Sequence, residues 1–502
     1  MQTVADPLEH ARLTAAHKEA IVCGSDRLDY QTLWSRCGRL AGHLAGLGLQ
    51  RGDRVAVVAA NCHRYLEVYL TVPAAGYVIV PLNTRSALAE LEYAVADSQA
   101  RVLLTDREPS SLDSLFEHVI RLPDGYEQAI ADAEPATLGV DVHEDDLAGI
   151  FYTGGTTGKA KGVMLTHRNL MANTWTALSW ARPTGDDRFL IMAPLFHAAG
   201  TCSVLATVWV TGTQVIPSSS RPGDLLDIIE REAVTMTLAV PTLLAAVTDE
   251  QFERPRNVSS LRLLSHGASP VATEILRRAT KAFPDAELLH LYGTTETSPI
   301  ATNLPHEELL LDTPAARSCG YPALGVQVRV LDFEGVVMAP GKVGEVLIRG
   351  ANVTKGYWNK PDETAAALRD GWYHTGDLGY LDDESRLYLV DRLKDMVVTG
   401  GENVYTVEVE NVLYSHPQVA EAAVFGIPDA HWGESLYAVV VPREKVSAEE
   451  LIEFCRDRIA GFKIPKHIDV TTEPLPKSGA GKVLKRQLRE PFWSEHDTRI
   501  GN

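Results

Sequence analysis

Cysteine is the first thing this sequence is short of. Its 502 residues hold six, Cys23, Cys37, Cys62, Cys202, Cys319 and Cys455, widely scattered and without a C-x-x-C pair. That spacing argues against a disulfide framework or a thiolate zinc site and reads as buried, reduced thiols. Long hydrophobic runs are also lacking. The most apolar stretch, Leu70 to Leu82, is interrupted by Pro73, Gly76 and Pro81, and it falls short of the ~20 residues a membrane span needs. The stretch from Met1 to His17 has no apolar segment of the secretory type, so no signal peptide is expected. Positive charge is scarce as well: 47 Lys and Arg stand against 66 Asp and Glu, a formal net charge of -19. Such a field repels nucleic acid and anionic membranes, so neither is expected as a partner. An anionic substrate must then be held by local donors. A soluble, cytoplasmic protein is the expectation, with monomer and homodimer both open.

The chain does have ordinary globular composition, 45% hydrophobic and 23% charged. Its length calls for two to four domains or subdomains. Helical and strand patterns alternate through the first half. Tyr30 to Leu47 carries apolar residues at three- and four-residue spacing, Asp53 to Ala60 contains Val55-Ala56-Val57-Val58, Tyr65 to Ala75 reads as helix and Tyr77 to Val80 as strand. The same alternation returns from Leu190 to Leu291. This predicts an α/β class: a large N-terminal domain of layered α/β subdomains on largely parallel sheets. After about Thr313, strand patterns at Val326 to Leu331 and Gly344 to Arg349 predict a small β-rich module. From Val397 onward, alternating strand and helix patterns predict a small α+β C-terminal domain.

The segment Tyr152-Thr153-Gly154-Gly155-Thr156-Thr157-Gly158-Lys159-Ala160-Lys161-Gly162 has the chemistry of a phosphate loop. Glycines let backbone N–H groups approach phosphate oxygens, threonine hydroxyls add donors and two lysines add charge. It is not a Walker loop: Thr153 stands where that motif needs glycine and Ala160 where it needs Ser or Thr. A Rossmann G-x-G-x-x-G is absent too. Taken alone, a plain Gly/Thr turn explains the segment equally well.

With its companions, the loop resembles that of the adenylate-forming superfamily, which includes acyl-CoA synthetases, firefly luciferase and peptide-synthetase adenylation domains. Gly154 stands where the family usually has serine, and Ala160 where it has proline. Five further segments resemble family motifs in family order: Pro194-Leu195-Phe196-His197, Tyr292-Gly293-Thr294-Thr295-Glu296, Tyr373-His374-Thr375-Gly376-Asp377, Asp391-Arg392-Leu393-Lys394-Asp395 with Gly400-Gly401-Glu402 after it, and Pro476-Lys477-Ser478-Gly479-Ala480-Gly481-Lys482. The resemblance implies an ATP-dependent acid–CoA ligase. It would make an acyl-adenylate, release pyrophosphate, then pass the acyl group to CoA. It implies residues 1–392 as the domain holding the ATP and acyl sites, 393–396 as a hinge, and 397–502 as a mobile domain.

The roles it implies follow the chemistry. Carboxylate and α-phosphate are both anionic, so cations and donors must sit where charge builds up. Lys482 would bridge them. Thr153, Gly154, Gly155, Thr156, Thr157, Gly158 and Lys161 would hold phosphates, and Glu296 with Thr156 would hold Mg²⁺, a hard ion suited to oxygen ligands. Asp377 would accept both ribose hydroxyls, and Arg392 would contact ribose or phosphate. Gly267, Ala268, His290, Tyr292, Gly293 and Thr295 would line the nucleotide. His290 replaces a common glutamine, and His266 a small residue or tyrosine. His197 would face the acyl carboxylate or gate its pocket. Lys394 matches the hinge position. Gly400 and Gly401 would line a channel for the thiol, and Trp432, Phe462 and Lys466 would contact the CoA nucleotide. Ala198 to Leu205 is small or apolar with no arginine, so the acid is expected to be a hydrophobic monocarboxylate: fatty, aromatic or polycyclic. Three other readings stay open: a ligase loading a carrier protein, a luciferase-like oxidative enzyme and a non-catalytic nucleotide-binding homologue.

Overall fold

A computed structural model describes residues 2–153, 160–268, 271, 273–306, 311–400, 402–429, 431–477 and 483–493. The chain forms two compact units. One contains residues 1–328 and 348–374, the other 329–347 and 375–502.

The first unit has the layered α/β architecture expected. Its seven-stranded sheet runs, edge to edge, Gly356–Tyr357, Lys161–Thr166, Leu147–Thr153, Val78–Pro81, Arg54–Val58, Val102–Thr105 and His118–Arg121. Its nine-stranded sheet carries the central parallel run Leu263–Gly267, Met236–Ala239, Arg188–Leu190 and Thr213–Ile216, with Glu287–Tyr292 and then Thr302–His306 on one side. Val55, Ala56, Val57 and Val58 are all fully buried. Burial on both faces is why this strand is an unbroken apolar run and not an alternating one. The helix Tyr30–Gly46 starts at Asp29, whose carboxylate accepts from the Thr32 N–H at 2.7 Å. It buries Tyr30, Leu33, Cys37, Leu40, Ala41 and Leu44, one stripe at helical spacing.

The β-rich module exists as a five-stranded sheet of Val326–Leu331, Gly344–Gly350, Leu368–Arg369, Trp372–Leu381 and Leu387–Arg392. The chain passes between the two units within its strands. The second unit has a sheet built on the long antiparallel pair Val419–Asp429 and Gly433–Pro442, which the helices Thr406–Tyr414 and Ala448–Arg456 accompany. Its core gathers Val397, Val409, Leu413, Val424, Ala438 and Leu451.

Among the described residues no helix is long and apolar enough to cross a membrane. Cys37, Cys319 and Cys455 are buried free thiols, while Cys23 and Cys62 are half-buried. Burial pushes the Cys37 thiol up to about 12, which makes it unreactive.

Candidate active site

The phosphate-loop segment lies between two antiparallel strands. Leu147–Thr153 pairs with Lys161–Thr166, and Thr153 is opposite Lys161. A Walker loop runs from strand into helix, so this hairpin connection is a different construction. Gly154, Gly155, Thr156, Thr157, Gly158 and Lys159 lie outside the described residues. The strand on the C-terminal side of the loop is tightly packed. A Cβ on Gly162 would come within 2.6 Å of Ile150 Cγ2, so only glycine fits there. The Tyr152 hydroxyl donates to Asp97 at 2.7 Å.

Tyr357, which carries no motif in the sequence, connects two of the expected residues. The Lys161 ammonium sits over its ring, 5.0 Å from the centroid. Its hydroxyl donates to Glu296 Oε1 at 2.9 Å. Burial and the Glu296 charge push the Tyr357 phenol well above its usual range, so it stays protonated and donates to that carboxylate. Glu296 lies in a short 3₁₀ turn, Thr295–Thr297, tied down where Thr294 N–H donates to Thr297 Oγ1 at 2.9 Å. Among the described residues no three His, Cys, Asp or Glu side chains converge as a metal site. A single carboxylate suits Mg²⁺, which takes one or two protein carboxylates and completes its shell with nucleotide phosphates and water.

Backbone crowding explains the glycines beside this turn. A Cβ on Gly293 would lie 1.8 Å from the Pro299 carbonyl oxygen, and one on Gly267 2.2 Å from that of Leu291. Ala268 adopts the left-handed conformation at φ +69°. Tyr292 is buried. His290 and His266 occupy paired positions on adjacent parallel strands. Their buried rings meet edge to face, with the two Nδ1 atoms 3.3 Å apart. The two histidines that replace the family's usual residues therefore contact each other.

His197 lies beside Phe196, ring centroids 4.8 Å apart. Burial pushes its imidazole down to about 4, and the Arg85 charge adds to this. It is neutral near pH 7, so it can offer a hydrogen bond but not a charge. Its Nε2 is enclosed and has no protein partner among the described residues. The segment before it is clamped by Asn61, whose amide donates to the Ala193 carbonyl and accepts from the Leu195 N–H, both at 2.9 Å. Nothing in the sequence around Asn61 marks it for this. Beside Ser265 and Leu291 lies a small cavity of about 50 Å³. Trp180, Phe189, Met236 and Leu238 are among its walls, and among the described residues no charged side chain lines it.

In the second unit, Asp377 and Arg392 are directly opposite each other on antiparallel strands. Arg392 Nε reaches Asp377 Oδ1 at 2.5 Å. Gly376 precedes them at φ +67°, and its carbonyl accepts from the Leu393 N–H. The Lys394 carbonyl accepts from Arg489 at 3.3 Å, which joins the C-terminal helix Lys485–Trp493 to this stretch. Lys482 and Gly401 lie outside the described residues. The flanks of Lys482, Lys477 and Val483, form an antiparallel bridge.

Gly400 donates its N–H to the Trp432 carbonyl at 3.0 Å, and a Cβ there would strike the indole at 2.7 Å. Trp432 and Phe462 are not core residues: they are 46% and 47% exposed. Lys466 Nζ lies 5.5 Å from the Trp432 ring centroid and Lys463 Nζ 5.7 Å from that of Phe462. Exposed aromatic faces beside ammonium groups suit a flat base carrying phosphates. The sequence showed no sign of Lys485, which proves to be a half-buried cation tying together several polar side chains of this unit. It donates to Glu410 and to Thr406 Oγ1, each at 2.7 Å. Thr406 Oγ1 in turn donates to Asp391 at 2.8 Å.

Comparison with known proteins adds to this geometry. The family described as AMP-binding enzyme matches residues 8–358, and AMP-binding enzyme C-terminal domain matches residues 408–482. A protein of an Amycolatopsis species named feruloyl-CoA synthase is 40% identical over 493 residues, covering 97% of this chain and 98% of the relative. ATP-bound MatB from Rhodopseudomonas palustris matches with a TM-score of 0.89 at 33% identity, over 98% of this chain and 99% of its own. MenE of Bacillus subtilis, solved with ATP and a magnesium ion, matches at 0.87 with 31% identity over 97% and 99%.

Proposed function

The chain belongs to the AMP-binding enzyme family, and from that premise we propose that the acid it joins to coenzyme A is an aromatic monocarboxylate. The reaction class comes with the family. The protein is an AMP-forming acyl-CoA synthetase whose substrates are ATP with Mg²⁺, a small carboxylic acid and CoA. In the first step a carboxylate oxygen attacks the α-phosphorus and pyrophosphate leaves. In the second, the CoA thiolate attacks the acyl carbon and AMP leaves.

The observation that carries the aromatic reading is the cavity. Its walls are mostly apolar and, among the described residues, uncharged, with Trp180 and Phe189 among them, and its size suits the end of a ring better than a long chain. The full-length relative named for feruloyl-CoA points the same way. An acid panel tests it, scored in parallel for pyrophosphate release and CoA consumption. Aromatic acids of one ring should exceed straight-chain C8–C16 acids by at least tenfold in kcat/KM. Faster turnover of the fatty acids overturns the reading. Adenylation with a carrier protein as acceptor, and none with CoA, replaces the second step.

Residue roles are part of the same proposal. Lys482 bridges carboxylate and α-phosphate. Thr153, Lys161 and the loop 154–158 hold the phosphates. Glu296 and Thr156 serve the metal, with Tyr357 fixing the Glu296 carboxylate. Gly267, Ala268, His290, Tyr292, Gly293 and Thr295 surround the nucleotide, and His197 donates a neutral hydrogen bond toward the acid. Asp377 takes the ribose hydroxyls with its partner Arg392 beside it. Residues 1–392 form the adenylating part, 393–396 the hinge with Lys394, and 397–502 a domain that presents Lys482 first and then Gly400 and Gly401. Trp432, Phe462 and Lys466 bind the CoA nucleotide. ATP and CoA supply makes the cytoplasm the proposed compartment.

A further inference from the structure

The apolar cavity contains a polar feature that its lining does not explain. Asn303 is fully buried on the strand Thr302–His306 and lines the cavity. Neither its amide oxygen nor its amide nitrogen has a partner among the described residues. Thr176, which lines the same cavity from the helix His167–Ala181, is 1% exposed, and its hydroxyl is unpartnered too. Helical threonines normally satisfy themselves on a carbonyl one turn back, as Thr174 does on Leu170 at 2.8 Å. Asn173, one turn before Ala177, donates its amide to the carbonyls of Thr297 and Ile300, far along the chain, at 3.3 and 3.0 Å, while its amide oxygen has no partner among the described residues. Two buried polar groups left without partners, in one pocket, mark a place built to receive something polar.

Strand register connects this place to Gly267, one of the residues proposed to surround the nucleotide to which the acid is joined. Gly267 is opposite Leu291, and Leu291 is opposite Asn303, so the three form a row across neighbouring strands on one face. Two strand spacings put Asn303 about 10 Å from Gly267. That is the reach of a flat one-ring acid from its carboxyl group to the far edge of the ring.

The geometry points to Asn303 and Thr176 as the residues that read a hydroxyl on the far edge of the substrate's ring. This rests on the aromatic reading above. A phenolic hydroxyl both donates and accepts, and a primary amide offers one acceptor and two donors to match it. An acid without the hydroxyl would leave the amide buried and unsatisfied, and sites of this kind reject such analogues far more strongly than an apolar pocket rejects a missing methylene. Asn303 and Thr176 are specificity residues; neither touches the bonds being made.

The test compares 4-hydroxycinnamate with cinnamate, a pair differing only in that hydroxyl. Steady-state kcat/KM is measured for wild type, Asn303→Leu and Thr176→Val, with the KM for ATP recorded for each. Wild type should prefer the hydroxylated acid by tenfold or more. Asn303→Leu should bring the ratio to within about threefold, mainly by raising KM for the hydroxylated acid, and Thr176→Val should lower it part of the way. KM for ATP should stay within twofold. Equal handling of the pair by wild type overturns the inference and leaves the aromatic reading standing, and the comparison needs no variant to fold. A ratio unchanged in both variants also overturns it. Turnover of fatty acids with neither cinnamate activated overturns the aromatic reading and this inference together.

Discussion

At the residue scale, the site depends on close approaches that admit one side chain. Gly293→Ala would push a methyl against the Pro299 carbonyl oxygen, 1.8 Å away. Overpacking of this kind costs about 1–3 kcal/mol. The expected result is a melting temperature several degrees lower, with a loss of adenylation larger than the stability change explains, since the Thr295–Thr297 turn carrying Glu296 begins two residues on. Thermal denaturation beside pyrophosphate-release assays checks both. Tyr357→Phe should act more narrowly. It removes the donor to Glu296, so the Mg²⁺ concentration needed for half-maximal adenylation should rise by about tenfold, the worth of one hydrogen bond to a charged group, while the fold is unchanged. His197 gives a pH prediction. Its native pKa of about 4 lies below the ordinary 6.5, so between those values the unfolded chain binds more protons than the native one. Stability is therefore fully present above pH 6.5 and is lost as pH falls toward 4. His63 and His167, also pushed to about 4 by burial, add to the same loss. In denaturant titrations at pH 7 and pH 5, His197→Asn should lose about 2 kcal/mol less than wild type between the two.

At the scale of elements, the sequence was most legible where its physics was local. The run Val55 to Val58 and the amphipathic pattern from Tyr30 announced a buried strand and a helix with one apolar face, and both formed. The candidate residues were legible as separate motifs. Their connections were not, because cross-strand register and side-chain contacts join residues far apart in the chain. Tyr357 meets Lys161 and Glu296 only because Gly356–Tyr357 pairs with Val163 and Met164. Trp432 lies half exposed because Gly400 has no side chain and lets the indole lie over it, a contact that the spacing of the two residues does not announce. Asn303 carried no signal at all. A single Asn beside Thr302 and Leu304 becomes informative only once both faces of its strand are known. The Lys485 network was equally hidden. Burial raises the carboxyls of Glu410 and Asp391, and the Lys485 charge opposes that rise. Lys485→Met should leave both carboxylates without their cation and destabilise this unit by about 3–5 kcal/mol, with Lys485→Met/Glu410→Leu recovering a large part. Equilibrium unfolding of the three proteins decides it. Not every cluster is a site: a wider cleft of about 480 Å³ beside Arg36 and Glu127 is bordered by groups already paired with each other, Arg36 also holding Glu67 at 2.8 Å.

At the scale of the whole molecule, the proposed assignment divides one reaction between two parts of the chain. The proposed phosphate, metal and acid residues lie in the first unit, and Lys482 with the thiol-channel glycines in the second. Lys482→Ala should then lower adenylation by about 10²–10³-fold, the scale of one transition-state donor. Thioester formation from a pre-formed acyl-adenylate should persist near wild-type rate. The central claim, that a carboxylate oxygen attacks the α-phosphorus of ATP, has a more direct test. The enzyme is given ATP, CoA and an aromatic acid whose carboxylate carries ¹⁸O on both oxygens, and the products are read by mass spectrometry. One labelled oxygen in AMP, one retained in the thioester and none in pyrophosphate is the predicted result. Label in pyrophosphate or inorganic phosphate, or AMP without label, would contradict it.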